Sequence, residues 1–356
     1  MTQPSLSVCV ASRNGQAAPP RTGRTQAGLA CCPALIDDFT WRDGDRVIRF
    51  GRGAIADAGA LLGDGYVLLT TERAAASAPE VVARAGAVHH VPTGRVDDVA
   101  GDLLETVSAG ELYVALGGGR VVDVTKSVAA ARGAQVAAIP TTLSAAEMTG
   151  GHRHARGVAP STQRVRPRIV INDPALSASQ PEHGLAGSAA NALGHAVEAP
   201  VASGVSPVPV LAAREAARLL AQDHDPDALA LGALLSGYAL DSTGLGLHHV
   251  LSQTLARFAG VWHGSANAAM LPHTTAALRR RAPEQLAALD AAAGVEMEAL
   301  ARRFAQRAGA QQLRDHGVTE EALETCVREA LARPQLDNTP PAADEAEIRA
   351  LYEAAW

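Results

Sequence analysis

The sequence predicts an α/β N-terminal half with a Rossmann-like parallel sheet, followed by an all-helical C-terminal half. Short apolar runs alternate with helix-periodic segments as far as residue 174, which is the pattern of βαβ units. From about Ser177 onward, long Ala- and Leu-rich helical segments take over. With 356 residues, 47% of them apolar and 3% aromatic, the chain has enough material for a large core built mainly from Ala, Val and Leu.

The elements of the first half follow one another in a regular order. The run Arg46–Ala54 alternates in polarity and ends in glycines, which predicts an edge strand and a turn. The run 65–71 is short and apolar, as in a strand buried within a parallel sheet. The other predicted elements are helices at 55–62, 74–85, 96–107 and 121–131, strands at 88–91, 112–116, 136–139 and 168–174, and a glycine turn at 117–119.

These patterns predict a disordered leader at residues 1–37, an α/β domain at 38–178 and a helical domain at 179–356. The leader lacks the apolar segment of a secretion signal. The net charge of −6 gives no basic surface for nucleic acid, and no apolar run reaches the length of a membrane span. The four cysteines form no disulfide or metal-binding pattern, and a cytoplasmic location is expected; they are Cys9, Cys31, Cys32 and Cys326.

A strand that runs into three glycines and then a helix lies at Leu116–Lys126, LGGGRVVDVTK. Gly117, Gly118 and Gly119 would let the backbone approach a pyrophosphate, and the helix N-terminus would favour its negative charge. A tight strand-to-helix turn would use the same triplet.

Two charged residues lie on one face of the helix that follows the glycine turn. Asp123 and Lys126 are at i and i+3, and Lys126 is the only lysine of the chain. We expect Lys126 to reach a phosphate or a substrate carboxylate, with a solvated surface lysine as the alternative.

A hydroxyl-rich loop follows the next short strand. Because ligands of open α/β sheets bind beyond the carboxyl ends of the strands, this loop should lie beside the glycine turn. Thr141, Thr142 and Ser144 are therefore candidates for hydrogen bonds to phosphate or to the nicotinamide amide. A cluster of helix N-caps is the alternative.

The helical half brings together a set of potential metal ligands. Asn191 and His195 share a helix face at i and i+4, His249 lies on a later helix, and His263 follows Gly260. Three imidazoles and one oxygen would suit a divalent Fe or Zn site that leaves one position open. Each histidine alone would also fit a hydrogen-bonded interior residue.

Several segments, in order and spacing, resemble the iron-containing alcohol dehydrogenase superfamily and most closely its maleylacetate reductases. The resemblance runs from about Phe50 to the C-terminus. The segments that carry it are GGGRVVDVTK, PTTLSAAEMT, RPRIVINDPAL, SAANALGHAVEA, LHHVLSQTLARFAGVWHGSANAAMLPH and PQLDNTPPAADEAEIRALYEAAW.

The resemblance implies an active site between the two domains, a dinucleotide in the first domain, NADH or NADPH as cofactor, and a homodimer. In metal-dependent members, an aspartate and three histidines hold the ion, and here the corresponding residues are Asn191, His195, His249 and His263. Asparagine is a weaker ligand than aspartate, and maleylacetate reductases have it in the same place. We therefore predict an enzyme without metal, in which His195, His249 and His263 bind or protonate the substrate, with Fe or Zn as the alternative.

The chain also departs from the maleylacetate reductases around the expected substrate site. It has Val250 and Gln253 where those enzymes have a lysine and a histidine, and Ala145 begins their Gly-Ser/Ala-Glu motif. A basic segment is either a solvated loop or a clamp for carboxylate or phosphate; its members are His152, Arg153, His154 and Arg156.

The predicted function is NAD(P)H-dependent reduction of a small, anionic carbonyl or enoate compound. Three alternatives stay open: a metal-dependent alcohol or polyol dehydrogenase, an NAD-binding lyase or cyclase like the dehydroquinate synthases, and a catalytically silent homologue.

Overall fold

A computed structural model describes residues 36–356 of the chain. Most of the predicted leader, with Cys9, Cys31 and Cys32, lies outside the described residues. The predicted α/β half and helical half are both present, so the predicted fold class is confirmed. The predicted boundary between residues 178 and 179 stays a prediction.

The sheet of the first half has seven strands in the order β1-β2-β7-β6-β5-β3-β4. Strand β1 is antiparallel to β2, and every other neighbouring pair is parallel. The strands are β1 (Phe39–Asp43), β2 (Arg46–Phe50), β3 (Val67–Thr70), β4 (Ala87–His90), β5 (Leu112–Gly117), β6 (Gln135–Pro140) and β7 (Ile169–Asn172).

The prediction that Arg46–Ala54 begins with an edge strand is wrong. Strand β2 lies between β1 and β7, and its first and last residues are buried. Strand β1, which has no buried residue, forms the edge and was not predicted. The physical reason is that the alternation of buried and half-buried residues in β2 reflects the two faces of the sheet, so the pattern does not show whether a further strand lies alongside.

Helices connect consecutive strands from β2 to β6 as predicted, with one correction, whereas residues 141–168 join β6 to β7 without a helix. The predicted helix at 74–85 is two short helices, because Pro79 starts a new helix and the residue before it, Ala78, is held out of helical conformation. After a 3₁₀ turn at Ala54–Asp57, the helices are α1 (Ala58–Leu62), α2 (Glu72–Ser77), α3 (Pro79–Arg84), α4 (Val96–Thr106) and α5 (Gly119–Arg132).

The second half is built from ten helices within the described residues. Helix α7 is buried along most of its length and packs against α8, α9, α11 and α13. The core that surrounds it also includes Ile48 and Val170 of the sheet, so the two halves share one continuous core. The helices are α6 (Pro174–Ala178), α7 (Glu182–Glu198), α8 (Pro207–Leu220), α9 (Pro226–Thr243), α10 (Leu247–Thr254), α11 (His263–Arg281), α12 (Pro283–Ala293), α13 (Met297–Arg307), α14 (Glu320–Leu331) and α15 (Glu345–Ala355).

Within residues 36–356, we find no single helix with the length and apolar character needed to span a membrane. One bent pair, Pro226–Thr243 with Leu247–Ala259, meets those criteria of length and composition when its two parts are taken together.

Candidate functional site

The glycine turn and the hydroxyl-rich loop meet at the carboxyl ends of β5 and β6, which confirms their predicted adjacency. The backbone N–H of Thr141 donates to the carbonyl of Gly117 over 3.0 Å. A Cβ atom on Gly118 would lie 2.9 Å from Cγ2 of Thr142, and one on Gly119 would lie 2.9 Å from Oγ of Ser144. The two loops therefore approach closely because two of the three glycines leave this space free.

The start of α5 has the features of an anion-binding site. Gly118 is its N-cap and supplies no side-chain hydrogen bond, so the backbone N–H groups of the first turn have no side-chain partner. The hydroxyl of Thr141 is buried there and has no hydrogen-bond partner among the described residues. These groups fit the pyrophosphate of a dinucleotide, since they offer donors and the positive end of a helix dipole.

Lys126 lies on α5, the helix that follows the glycine turn, and its side chain is fully buried. Its Nζ donates to the carbonyl oxygens of Ala146 (2.9 Å), Thr149 (3.1 Å) and Gly151 (2.8 Å). It also forms an ion pair with Oδ1 of Asp123 at 2.8 Å, without the geometry of a hydrogen bond. A direct role of Asp123 and Lys126 in binding the cofactor stays a prediction. The contacts give Lys126 a different role, which is to hold the loop 146–151 in place.

The predicted histidine cluster comes together at the start of the helical half. Asn191 and His195 lie on α7, His249 lies on α10, and the rings of His195 and His249 stack with centroids 4.5 Å apart. His263, at the start of α11, is exposed at the edge of the cluster. Nδ2 of Asn191 donates to the carbonyl of Ser144 over 3.3 Å, so the cluster is joined directly to the hydroxyl-rich loop.

Glu198 is a site residue that the sequence analysis missed. Its carboxylate is fully buried and lies 2.5 Å from Nδ1 of His249. It also accepts hydrogen bonds from the backbone N–H groups of Gly246, His248 and His249. Since Nδ1 of His249 donates to Glu198, Nε2 carries the lone pair, and that atom is buried without a partner. The signal in the sequence was the spacing of Glu198 from His195, three residues along the same helix.

Burial keeps the inner histidines neutral. It is the main cause that lowers the pKa of His249 and the pKa of His248, each to about 3, and it lowers the pKa of His195 well below its usual range. Burial also raises the pKa of Glu198, although hydrogen bonds from backbone N–H groups oppose this shift. The cluster therefore has little positive charge of its own before a ligand binds.

A second set of hydrogen bonds, which was also not predicted, links His248 of α10 to residues of α11. Nδ1 of His248 lies 2.8 Å from the hydroxyl of Thr274, and its Nε2 lies 3.1 Å from Oδ1 of Asn267. The amide nitrogen of Asn267 then lies 3.1 Å from Nε2 of His263. These hydrogen bonds fix the orientation of the imidazole rings of His248 and His263.

The four residues at the metal-ligand positions do not fit a metal ion in this arrangement. Nε2 of His195 faces the amide nitrogen of Asn191 at 3.5 Å, and Nε2 of His263 is engaged by Asn267. The stacked rings of His195 and His249 do not converge on one point as imidazole ligands do. Across residues 36–356, no group of three His, Cys, Asp or Glu side chains is placed to hold an ion.

The basic segment after the loop 146–151 divides into separate parts. The ring of His152 is buried and bonded to the backbone of Arg153 and Val165. Arg156 forms an ion pair with Asp102 on the surface. Arg153 is exposed and forms no ion pair with a described residue. His152 therefore belongs to neither a solvated loop nor a clamp, because its ring is buried, and the choice between these two alternatives stays open for the rest of the segment.

A dinucleotide-type turn on a parallel sheet, facing a buried histidine cluster on a helical half, defines a class of NAD(P)-dependent oxidoreductases. The iron-containing alcohol dehydrogenase model matches residues 49–151, and the C-terminal model of the Fe-containing alcohol dehydrogenase family matches residues 185–356. The chain belongs to the iron-containing alcohol dehydrogenase family.

Within this family, the chain is similar to maleylacetate reductases. Maleylacetate reductase 1 of Rhodococcus opacus is 31% identical over 287 residues, which cover 76% of this chain and 79% of the relative. The crystal structure of maleylacetate reductase from Agrobacterium tumefaciens matches with a TM-score of 0.74 and 29% identity, over 89% of this chain and 97% of that one. The enzyme from Rhizobium sp. strain MTP-10005 matches with a TM-score of 0.74 and 27% identity, over 90% and 99% of the two chains. The predicted family is confirmed.

Proposed function

We propose that this chain transfers a hydride from NADH or NADPH to a small anionic carbonyl or enoate compound, as a maleylacetate-reductase-like enzyme. The observation that supports this proposal is that the hydroxyl-rich loop contacts both the glycine turn and the histidine cluster. The glycine turn packs on Thr142 and Ser144, and the carbonyl of Ser144 is bonded to Asn191 of the histidine cluster. A dinucleotide on the turn would thus lie within reach of a substrate held at the histidines.

Each residue has a part in this reaction. The backbone N–H groups at the start of α5 and the hydroxyl of Thr141 bind the pyrophosphate. Hydride transfer places negative charge on the carbonyl oxygen, and Nε2 of His249 gives that oxygen a proton. Because burial holds the imidazole neutral, Nε2 must first take up this proton, and Glu198 at 2.5 Å from Nδ1 stabilises the imidazolium that forms. The negative charge of the substrate also favours uptake of this proton by Nε2 of His249.

The proposal is tested by titrating the purified chain with NADH and NADPH and by following oxidation of the cofactor at 340 nm with maleylacetate. Gly118→Ala should weaken cofactor binding at least tenfold, because its Cβ would fill the space beside Thr142. Gly184→Ala is the matched control, since a Cβ there meets its nearest neighbour at an ordinary 3.8 Å. Equal binding by both variants and the unchanged chain would contradict the proposed cofactor site.

We further propose that the reaction proceeds without a bound metal. Nδ2 of Asn191 is used as a donor to Ser144, and an aspartate ligand could not make this bond. Metal analysis of the purified enzyme, with activity measured before and after chelation, decides the point. Stoichiometric iron or zinc, together with loss of activity on chelation, would favour a metal-dependent alcohol or polyol dehydrogenase instead.

The homodimer and the cytoplasmic location stay predictions. Sedimentation of the purified chain measures the first, and fractionation of cells measures the second.

A further inference from the structure

We propose that Asn267 and His248 hold His263 in the tautomer that carries its proton on Nδ1, so that His263 presents a fixed N–H donor to the oxygen of the substrate. His263 is then a catalytic residue, and Asn267 and His248 are positioning residues that act through it. This inference rests on the proposed function, and it gives the exposed histidine of the cluster a part that differs from that of His249.

The side-chain amide of Asn267 can take only one of its two orientations. Asn267 lies one turn after His263 on α11, and its amide nitrogen lies 2.8 Å from the backbone carbonyl oxygen of His263. A carbonyl oxygen only accepts hydrogen bonds, so the group that faces it must be the amide nitrogen. Oδ1 is therefore on the other side of the amide, where it lies 3.1 Å from Nε2 of His248.

This orientation determines where His248 carries its proton. Its ring is fully buried, and burial lowers its pKa to about 3, so the ring is neutral and has a single N–H. Because Oδ1 of Asn267 only accepts, that N–H is on Nε2, and the hydroxyl of Thr274 donates to Nδ1 over 2.8 Å. If the hydroxyl donated instead to the carbonyl of Met270 at 3.0 Å, the proton would be on Nδ1. Two buried acceptors, Nε2 and Oδ1, would then face each other, which is costly.

The same amide determines the tautomer of His263. Nδ2 of Asn267 has two N–H groups, and the second faces Nε2 of His263 at 3.1 Å. Nε2 therefore carries the lone pair, and the proton of the neutral ring is on Nδ1. Within residues 36–356, Nδ1 of His263 has no hydrogen-bond partner, and the residue is exposed at the edge of the cluster. An N–H donor of fixed direction is thus available to a ligand.

His249 and His263 consequently offer opposite groups to the substrate. Nδ1 of His249 is bonded to Glu198, so its Nε2 takes up a proton and passes it on. The product gains a hydride at carbon from the cofactor and a proton at oxygen from His249, whereas His263 keeps its own proton throughout. Its N–H stabilises the negative charge as that charge develops, and a donor already in place needs no rearrangement to do so.

Nitrogen-15 NMR of the full chain, labelled at histidine only, reads the tautomer directly. A chelator in the buffer ensures that no ion occupies Nε2. At about pH 8, above the ordinary pKa of an imidazole, His263 should show an N–H at Nδ1 and an unprotonated Nε2. The signals of His263 are assigned by their loss in His263→Gln. Asn267→Asp keeps the shape of the side chain and replaces the donor with an acceptor, so it should place a proton on Nε2 of His263.

Catalysis with maleylacetate tests the role of this donor. Asn267→Asp should lower kcat by about 10²- to 10³-fold, as when one donor to a developing oxyanion is lost, with a smaller change in KM. Thr274→Val removes the hydroxyl that donates to His248 and should lower kcat about tenfold, the worth of one hydrogen bond, although Thr274 lies about three helical turns from His263. Thr275→Val is the matched control, because its buried hydroxyl has no hydrogen-bond partner among the described residues, and it should leave kcat unchanged. Circular dichroism checks that each variant is folded.

The outcomes separate this inference from the proposed function. An N–H at Nε2 of His263 in the unchanged chain would overturn the inference whatever the activity. The expected tautomer with an unchanged kcat in Asn267→Asp, or equal kcat values in Thr274→Val and Thr275→Val, would overturn the catalytic part of it. The expected tautomer in a chain that neither binds NADH or NADPH nor reduces maleylacetate would refute the proposed function and leave the hydrogen-bonded arrangement of His263 standing.

Discussion

Replacing Lys126 with methionine tests the role that its contacts indicate. Methionine keeps the length and most of the volume of the side chain and removes the charge. Three carbonyl oxygens would lose their donor, and Asp123 would lose an ion-pair partner at 2.8 Å. We expect Lys126→Met to lower the free energy of unfolding by about 3–5 kcal/mol, as when one partner of a buried charged network is removed.

Thermal unfolding followed by circular dichroism measures this effect. At roughly 2 cal/mol/K of unfolding entropy per residue, the melting temperature should fall by about 4–8 °C. Arg132→Met is the matched control, because its exposed guanidinium on the same helix donates to the carbonyls of Leu104 and Val107. Arg132→Met should lower the free energy of unfolding by less than about 1 kcal/mol.

The same variant separates the structural role from the role predicted by sequence. If Lys126 reaches a cofactor phosphate, Lys126→Met would weaken NADH binding with little change in melting temperature. If Lys126 holds the loop 146–151, the melting temperature falls, and NADH binding changes only to the extent that the loop is displaced. A melting temperature equal to that of the unchanged protein would refute our reasoning about the buried ammonium group.

Three further predictions follow from buried groups near the site. Ala145 has a φ of +61°, in the left-handed region, so Ala145→Gly should raise the free energy of unfolding by about 0.5–1 kcal/mol, whereas Ala146→Gly should lower it. Glu198→Gln should lower kcat by about 10²- to 10⁴-fold with a smaller change in KM, since His249 loses its counter-charge. Burial raises the pKa of Glu147 to about 7, so stability should fall by about 3 kcal/mol as pH rises from 4.5 to 7. Glu147→Gln should remove this dependence in urea unfolding at pH 5 and pH 8.

The parts of the site that sequence could predict are those fixed by regular structure. The glycine turn and the hydroxyl-rich loop follow neighbouring parallel strands, and strand ends meet at one edge of a sheet, so their contact follows from the order of the elements. Asn191 and His195 share a face because four residues make about one helical turn. Predicting such contacts requires no knowledge of the tertiary packing.

The parts that could not be predicted depend on partners distant in the sequence. Lys126 is held by backbone carbonyls of the loop 146–151, and a carbonyl has no signature in the sequence. Glu198 is bonded to a turn about fifty residues away, and its spacing from His195 does not by itself distinguish a buried glutamate from a solvated one. Strand β1 was missed because its pattern consists of only two aromatic residues, Phe39 and Trp41, alternating with exposed ones, which is too short to distinguish a strand from a loop.

Asn191 shows how a changed ligand position alters the rest of the site. A carboxylate there would only accept hydrogen bonds, and it would face the carbonyl oxygen of Ser144, which also only accepts. The amide of asparagine donates to that carbonyl and so ties the helical half to the loop that carries Thr142. In a reaction without metal, as we propose, the positive charge that an ion would supply must come from elsewhere. Within the described residues, the candidate is His249, once protonated beside Glu198.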